Sequence, residues 1–461
     1  MRLDLYRKYQ RFTLLILFLI LAGSGVGIVV PAGSGWDFGN FYDTGRRVIA
    51  GQIQDIYHAE RLIGGEPPHG KMRFWGTPIS AWLYAPLGYL SPTWALIVFK
   101  IQNTLAYFVA LLLLYFHNRK FVGGLFPLDK TQDKLAQAKF AALFAFLSLI
   151  YQPFWTVYRV GGQTTPSLFL LFTLALLSHT GGQLFLSALC LILACLIKPS
   201  FITALIFLTC ISGLRFFGYV VAIFSFIGLV SLSTMGWNLH KEFLILMGEG
   251  TRKLSPWFYN SSLSVTLDNF KIFLGPESLS PFRSVVFTLG LWGIKAIVIG
   301  TFIYLIFQSR SQKWFPATRR HFDFLMAVSF SLLISQVVFE HYLAPLFLLL
   351  IYVVVSHRSF SYRALILIGA IFLLAIGQNL ILIDFLRNHF KLDSPPELLL
   401  MGLFKSGPLL LTLIFLWRHY RELFQSYVTQ EWANYTKGEV VQKETVIKYE
   451  NTGFRKPGQS K

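Results

Sequence analysis

Apolar blocks recur along the chain, and they constrain its fold more than any other feature. Stretches such as Phe12–Leu21, Leu168–Leu177 and Leu346–Val355 carry no charge and lack the regular alternation of a half-buried helix or strand. Blocks near 20 residues with few charges are transmembrane helices, because about 20 residues of helix cross the hydrocarbon core. Composition supports this. Only 14% of the residues are charged, against about 25% in a soluble domain, and the 45 Phe outnumber the 41 Lys plus Arg. A soluble exterior must be largely polar, so so much apolar surface cannot be hidden in water. A soluble enzyme, a disordered chain and a secreted disulfide scaffold are excluded. Cys190, Cys195 and Cys210 lie inside apolar blocks without metal-ligand spacing, and all three read as small core residues.

Apolar length and flanking charge give an all-α integral membrane fold with about twelve transmembrane helices. They are expected near 12–31, 94–116, 140–156, 164–178, 184–197, 200–214, 216–234, 284–307, 322–338, 343–356, 364–383 and 398–417. With the N-terminus in the cytoplasm, the inner segments hold 24 Lys/Arg against 9 Asp/Glu, and the outer ones 14 against 13. Three lysines, Lys100, Lys295 and Lys405, remain inside spans. The formal charge of +19 is therefore the positive-inside signal, with both termini cytoplasmic, and implies no nucleic-acid partner. The bacterial cytoplasmic membrane is the expected location. The small residues Ala32–Gly35 after the first span mimic a signal-peptidase site, but the apolar stretch is long for a signal sequence and reads as an uncleaved anchor.

The membrane domain covers 1–417, with outer loops at 32–93 and 235–283, and a polar cytoplasmic tail follows at 418–461. In the first loop, Asp37–Ala50 has the period of an amphipathic helix lying on the outer surface. The Pro-punctuated stretch 76–92 is too short to cross and reads as interfacial or re-entrant.

Polar residues that look out of place gather on the outer face: Asp37, Arg159, Gln163, Lys198, Asn260, Glu340, His341 and Asp384. Acids, cations and aromatic loops together suit an anionic, hydroxylated substrate at the membrane surface. Asp37-Phe38, Phe41-Tyr42, Arg46, Ala50-Gly51 and Ile56-Tyr57 resemble the first-loop signature of glycosyltransferase family 87. Phe74, Pro78, Ala85-Pro86-Leu87, Gly162-Gln163, Lys198-Pro199, Asn260 with Ser262-Leu263, and Ser335 with Glu340-His341-Tyr342 continue the likeness in order. The sequence departs from the pattern at Thr165, Ser261 and Gln336, where Asn, Gln and Pro are usual.

The resemblance implies a GT-C-like fold and transfer of a sugar, chiefly mannose, from a polyprenyl-phosphate donor to a lipid-linked or cell-surface glycan acceptor. It places Asp37 at the family's catalytic aspartate. Such transfer needs a carboxylate to take the acceptor proton and cations to hold the departing phosphate. Asp37 is the candidate base, with His341, Lys198 and Arg159 as phosphate contacts. Glu340 would hold His341 protonated, and Gln163, Asn260 and Tyr42 would orient the sugars. Lys, Arg and His can replace a metal here, so no metal or cofactor is expected. Membrane lipids are the remaining partner.

Each residue also has a plain structural reading. Asp37 can N-cap the following helix, and Asp43, its competitor, is expected to face water. A histidine in a short turn is commonly structural. Lys198 can snorkel to the interface, Gln163 and Asn260 are ordinary turn residues, and Trp36, Tyr42 and Trp75 can form an interfacial belt. A transporter or flippase for a lipid-linked glycan is the alternative function. Lys295, mid-span, is its main support.

Overall fold

The first apolar block folds as one helix, α1 (Arg2–Val29), in the computed structural model. The structure describes residues 2–30, 36–58, 74–122, 130–158, 162–253, 262, 281–311, 314, 316–335, 338 and 340–356, and among these there is helix and no strand. α1 turns Ile16, Ile20 and Ser24 inward and leaves Leu14 and Phe18 exposed on the other side. It packs on α5 (Lys130–Ile150) and α4 (Pro92–Val122).

Two of its end carbonyls explain one of the embedded lysines. The Lys100 ammonium, fully buried in α4, donates to the carbonyls of Gly27 (2.8 Å) and Val30 (3.0 Å). The last carbonyls of a helix have no partner within it, and a cation suits that end of the dipole. Lys100 therefore closes the end of α1.

Among the described residues the chain continues after α5 with α6 (Thr165–Thr180), α7 (Leu184–Ile197), α8 (Ile202–Ser212), α9 (Leu214–Met235), α10 (Trp237–Lys253), α11 (Pro281–Ser311), α12 (Pro316–Ile334) and α13 (Leu346–Ser356). α6 is central and touches α4, α7 and α12. Its Phe169 joins Tyr151, Phe154 and Phe347 in an aromatic knot with ring centroids 4.6–5.8 Å apart. Lipid tails are as apolar as these side chains, so close packing rather than solvent exclusion holds the bundle together.

Four stretches are long and apolar enough to cross a membrane: Leu3–Val29, Pro92–Arg119, Leu214–Met235 and Leu289–Ser311. Thr165–Thr180, Leu184–Ile197 and Pro199–Ser212 are shorter apolar helices. Large apolar side chains face outward, including Leu214 (87% exposed), Phe226 (69%) and Phe307 (74%). An apolar exterior of this kind belongs in lipid. The expected spans 364–383 and 398–417, and the tail, lie outside the described residues.

Several boundaries differ from expectation. The span expected at 140–156 ends at Ile150, and a 3-10 helix Gln152–Val157 follows. Pro153 lacks the amide that a continuing helix would need. The expected inner loop 117–139 is largely helical, and the outer loop 235–283 begins with α10. Cys190 and Cys195 are buried, but Cys210 is exposed, on a lipid-compatible flank rather than in the core.

The helix expected at Asp37–Ala50 is α2 (Trp36–Ile49), but it does not lie on the surface. Asn40, Asp43, Thr44 and Arg47 are all buried. Asp43 does not face water: its carboxylate pairs with Arg47 Nε at 2.9 Å. Arg47 Nη1 also donates to the carbonyls of Asp55 and His58 (3.1 Å for His58), and Thr44 donates to Asn40. The returning chain covers the polar face of α2 and supplies two carbonyls to Arg47 in place of water.

On the opposite flank a 3-10 helix, Pro78–Leu83, leads into α3 (Ala85–Gly88), which crosses α2 closely. A Cβ on Gly45 would collide with the Tyr84 carbonyl, and one on Gly88 would sit 2.7 Å from the Gly45 carbonyl carbon. The stretch 76–92 thus folds back without crossing.

Candidate functional site

Loops far apart in sequence meet at one end of the bundle, around Asp37 in the first turn of α2. Gly162 fixes the first approach. Its φ of +59° is left-handed, and a Cβ there would lie 2.7 Å from Phe38 Cβ. Only glycine lets this turn press against α2. Gln163, next in the chain, then donates its Nε2 hydrogen to Asp37 Oδ2.

Lys198 arrives from the end of α7. Thr77 holds the last turn of that helix by donating its backbone N–H (3.3 Å) and its hydroxyl (3.1 Å) to the Leu196 carbonyl. Lys198 takes an extended conformation before Pro199, which ends α7. Its ammonium lies 6.0 Å from the centroid of Phe41 and 5.9 Å from that of Tyr342. A cation at such distances from aromatic faces is stabilised by their quadrupoles.

The 3-10 turn Glu340–Leu343 is the fourth contributor. The Tyr151 hydroxyl donates to the Leu343 carbonyl at 2.6 Å and ties this turn to the end of α5. The Tyr342 ring packs edge-on to Phe201, 5.6 Å between centroids.

These groups perturb one another. Burial pushes the Asp37 carboxyl above its ordinary range, while the Lys198 charge and the Gln163 hydrogen bond pull it back. Burial pushes the Lys198 ammonium down, opposed by Asp37. Burial, with a smaller push from Asp37, raises the Tyr342 phenol to about 12, so it stays protonated and able to donate. A carboxylate desolvated in this way is a stronger base than one in water.

The structure thus brings together Asp37, Gln163, Lys198 and the turn bearing Glu340 and His341. The side chains of Glu340 and His341, and all of Arg159 and Asn260, lie outside the described residues. Tyr42 lies in the aromatic layer beneath the site, its ring stacked with Phe38 (6.0 Å) and its hydroxyl donating to the Leu90 carbonyl at 2.9 Å. Phe41 and Tyr342 entered the sequence reading only as parts of the family motifs, with no role at the site assigned to either. Lys295 is half-buried on α11, its ammonium 5.6 Å from the Trp292 ring centroid. Among the described residues no cluster of His, Cys, Asp or Glu could hold a metal.

The opposite end carries a different polar set. Arg310 bonds Asp323 (2.9 Å) and the Ile211 carbonyl (2.8 Å), and Arg320 bonds the Thr180 carbonyl (2.9 Å). α6 starts beside Gln163 and ends at Thr180, so its 16 residues separate the two ends by about 24 Å.

A helical bundle with membrane-length apolar helices thus gathers an acid, an amide and a lysine between two aromatic rings at one end. Comparison with protein families narrows the class. Residues 74–336, more than half of the chain, match glycosyltransferase family 87, and the chain belongs to that family. It is a glycosyltransferase. Gln163 and Lys198 fall inside the matched stretch, with Asp37 before it and the Glu340–Leu343 turn just after it. Comparison with curated proteins gives no match.

Proposed function

We propose that the protein takes a sugar, mannose by the family resemblance, from a polyprenyl-phosphate donor. It passes this sugar to a lipid-linked or cell-surface glycan acceptor at the outer membrane face. The observation that carries this reading is the meeting of Asp37, Gln163, Lys198 and the Glu340–Leu343 turn at one end of the bundle. Asp37 takes the acceptor proton. Lys198, with His341 and Arg159, holds the phosphate as charge develops on it, and Glu340 keeps His341 protonated. The Arg310 and Arg320 cluster at the opposite end supports an orientation in which both termini are cytoplasmic.

The test is incubation of purified protein with labelled polyprenyl-phosphate mannose and membrane acceptors, with the product identified by mass spectrometry. Asp37→Asn is expected to abolish transfer while protein level and donor binding persist. Full activity in that variant refutes the assignment. Movement of lipid-linked glycan across vesicles, with no covalent product, would instead identify a flippase.

A further inference from the structure

Two polar side-chain atoms at the start of α6, one of them on the residue bonded to Asp37, are buried and unused. The Gln163 amide donates through Nε2 to Asp37, yet its Oε1 has no hydrogen-bond partner, and the residue is 6% exposed. The amide cannot be turned to relieve this while Asp37 is ionised, because a carboxylate only accepts hydrogen bonds. Thr164, 4% exposed, stands at the N-cap of α6 but makes no capping bond, and its hydroxyl is likewise unpartnered. The polar groups that follow in α6 are satisfied. Thr165 pairs with Thr156 at 2.9 Å, and Ser167 donates to Asn103 at 2.9 Å. A buried polar atom without a partner costs about 1–3 kcal/mol, and such a cost is kept where a ligand supplies the missing bond.

We infer that the start of α6 is an acceptor subsite for a vicinal diol, in which Gln163 joins the catalytic carboxylate to the hydroxyl next to the reacting one. This rests on the transferase reading above. The two heteroatoms of one amide are about 2.3 Å apart, and neighbouring ring hydroxyls are about 2.8 Å apart. One amide can therefore serve two adjacent positions, Asp37 through its nitrogen and a substrate hydroxyl through its oxygen. In the reaction, the acceptor oxygen bonds to the anomeric carbon as the bond from that carbon to the phosphate oxygen breaks. The electron pair leaves with the phosphate, and the acceptor proton passes to Asp37. The adjacent hydroxyl meanwhile donates to Gln163 Oε1, and Thr164 completes the polar wall. A sugar or cyclic polyol fits this arrangement, whereas an isolated alcohol leaves Gln163 Oε1 unpaired.

The test uses the purified protein, labelled polyprenyl-phosphate mannose, and octyl mannoside, glucoside and galactoside with their monodeoxy analogues. For an accepting glycoside, removal of the reacting hydroxyl abolishes labelling. Removal of a hydroxyl on an adjacent carbon raises KM about 10- to 100-fold with the wild-type protein, the effect of one buried acceptor left unpaired. In Gln163→Leu that second loss shrinks to less than about threefold, while Thr164→Val raises KM for the intact glycoside and leaves the position dependence in place. Equal losses in the wild type and Gln163→Leu overturn the subsite, because a merely structural glutamine cannot know which hydroxyl is missing. Failure of all three glycosides while membrane lipids are labelled also overturns it. Absence of label in every acceptor overturns the transferase reading instead.

Discussion

Replacing Gly162 by Ala tests whether the turn before α6 sets the Asp37–Gln163 contact. The residue has φ +59°, and an added Cβ would lie 2.7 Å from Phe38 Cβ. The left-handed conformation costs a non-glycine residue about 1–2 kcal/mol. The new contact is about 1 Å inside the optimal carbon–carbon separation of about 3.5–4.0 Å, and relieving such overpacking costs about 1–3 kcal/mol. The expected total is about 2–5 kcal/mol. Because Phe38 follows Asp37 in α2, relief must move Asp37, Gln163 or both. A displacement of about 1 Å at reacting groups lowers rate about 100-fold. The measurement is transfer of labelled sugar by detergent-purified protein, with the thermal midpoint taken on the same sample. Gly228→Ala is the control: it meets nothing within 4 Å and is expected to change stability by no more than about 1 kcal/mol. Wild-type transfer and midpoint in Gly162→Ala would refute the reasoning.

Three further outcomes follow from the geometry. With Asp37 as the proposed base, activity is expected to fall as pH drops through its pKa; Lys198→Met removes the stronger of the two influences holding Asp37 ionised, and Gln163→Leu the weaker. The acid limb of the pH–rate profile should move to higher pH in both variants, further in Lys198→Met, and the reverse order would contradict the site's electrostatics. Arg47→Met takes its cationic partner from the buried Asp43, at a cost of about 3–5 kcal/mol; adding Asp43→Asn should recover part of the lost thermal midpoint, and no recovery would show that Arg47 acts only through the carbonyls of Asp55 and His58. Lys100→Met strips the end of α1 of its donor and should destabilise by about 1–3 kcal/mol, seen as a lower midpoint with little change in activity per folded molecule.

What the sequence disclosed depended on the kind of signal. Apolar blocks locate helices without reference to their neighbours, and alternation of spans assigns each loop to an end. Asp37, Gln163, Lys198 and the Glu340–Leu343 turn were therefore legible as occupants of one face before any contact was known. Burial within a loop was not. The Asp43–Arg47 spacing is the same on a solvated helix face as in an enclosed ion pair. What decides between them is the return of residues 50–58, whose carbonyls carry no mark in the sequence. Lys100 was legible as an anomaly but not as a cap, since its partners are backbone atoms of another helix. Tyr342 stood beside the two residues that drew attention, and its role comes from where its ring points.

The distance along the chain between Asp37 and Tyr342 has a consequence for synthesis. Asp37 leaves the ribosome early, but Lys198 and the Tyr342 turn follow only after most of the described helices have been made. Until then the Asp37 carboxylate lacks Lys198 as its counter-charge, and α2 lacks the walls that keep water from it. A nascent chain therefore carries the carboxylate proposed as the base long before its partners arrive, and transfer is expected only when the late turn docks. Any product truncated before residue 340 would be inserted in the membrane yet silent.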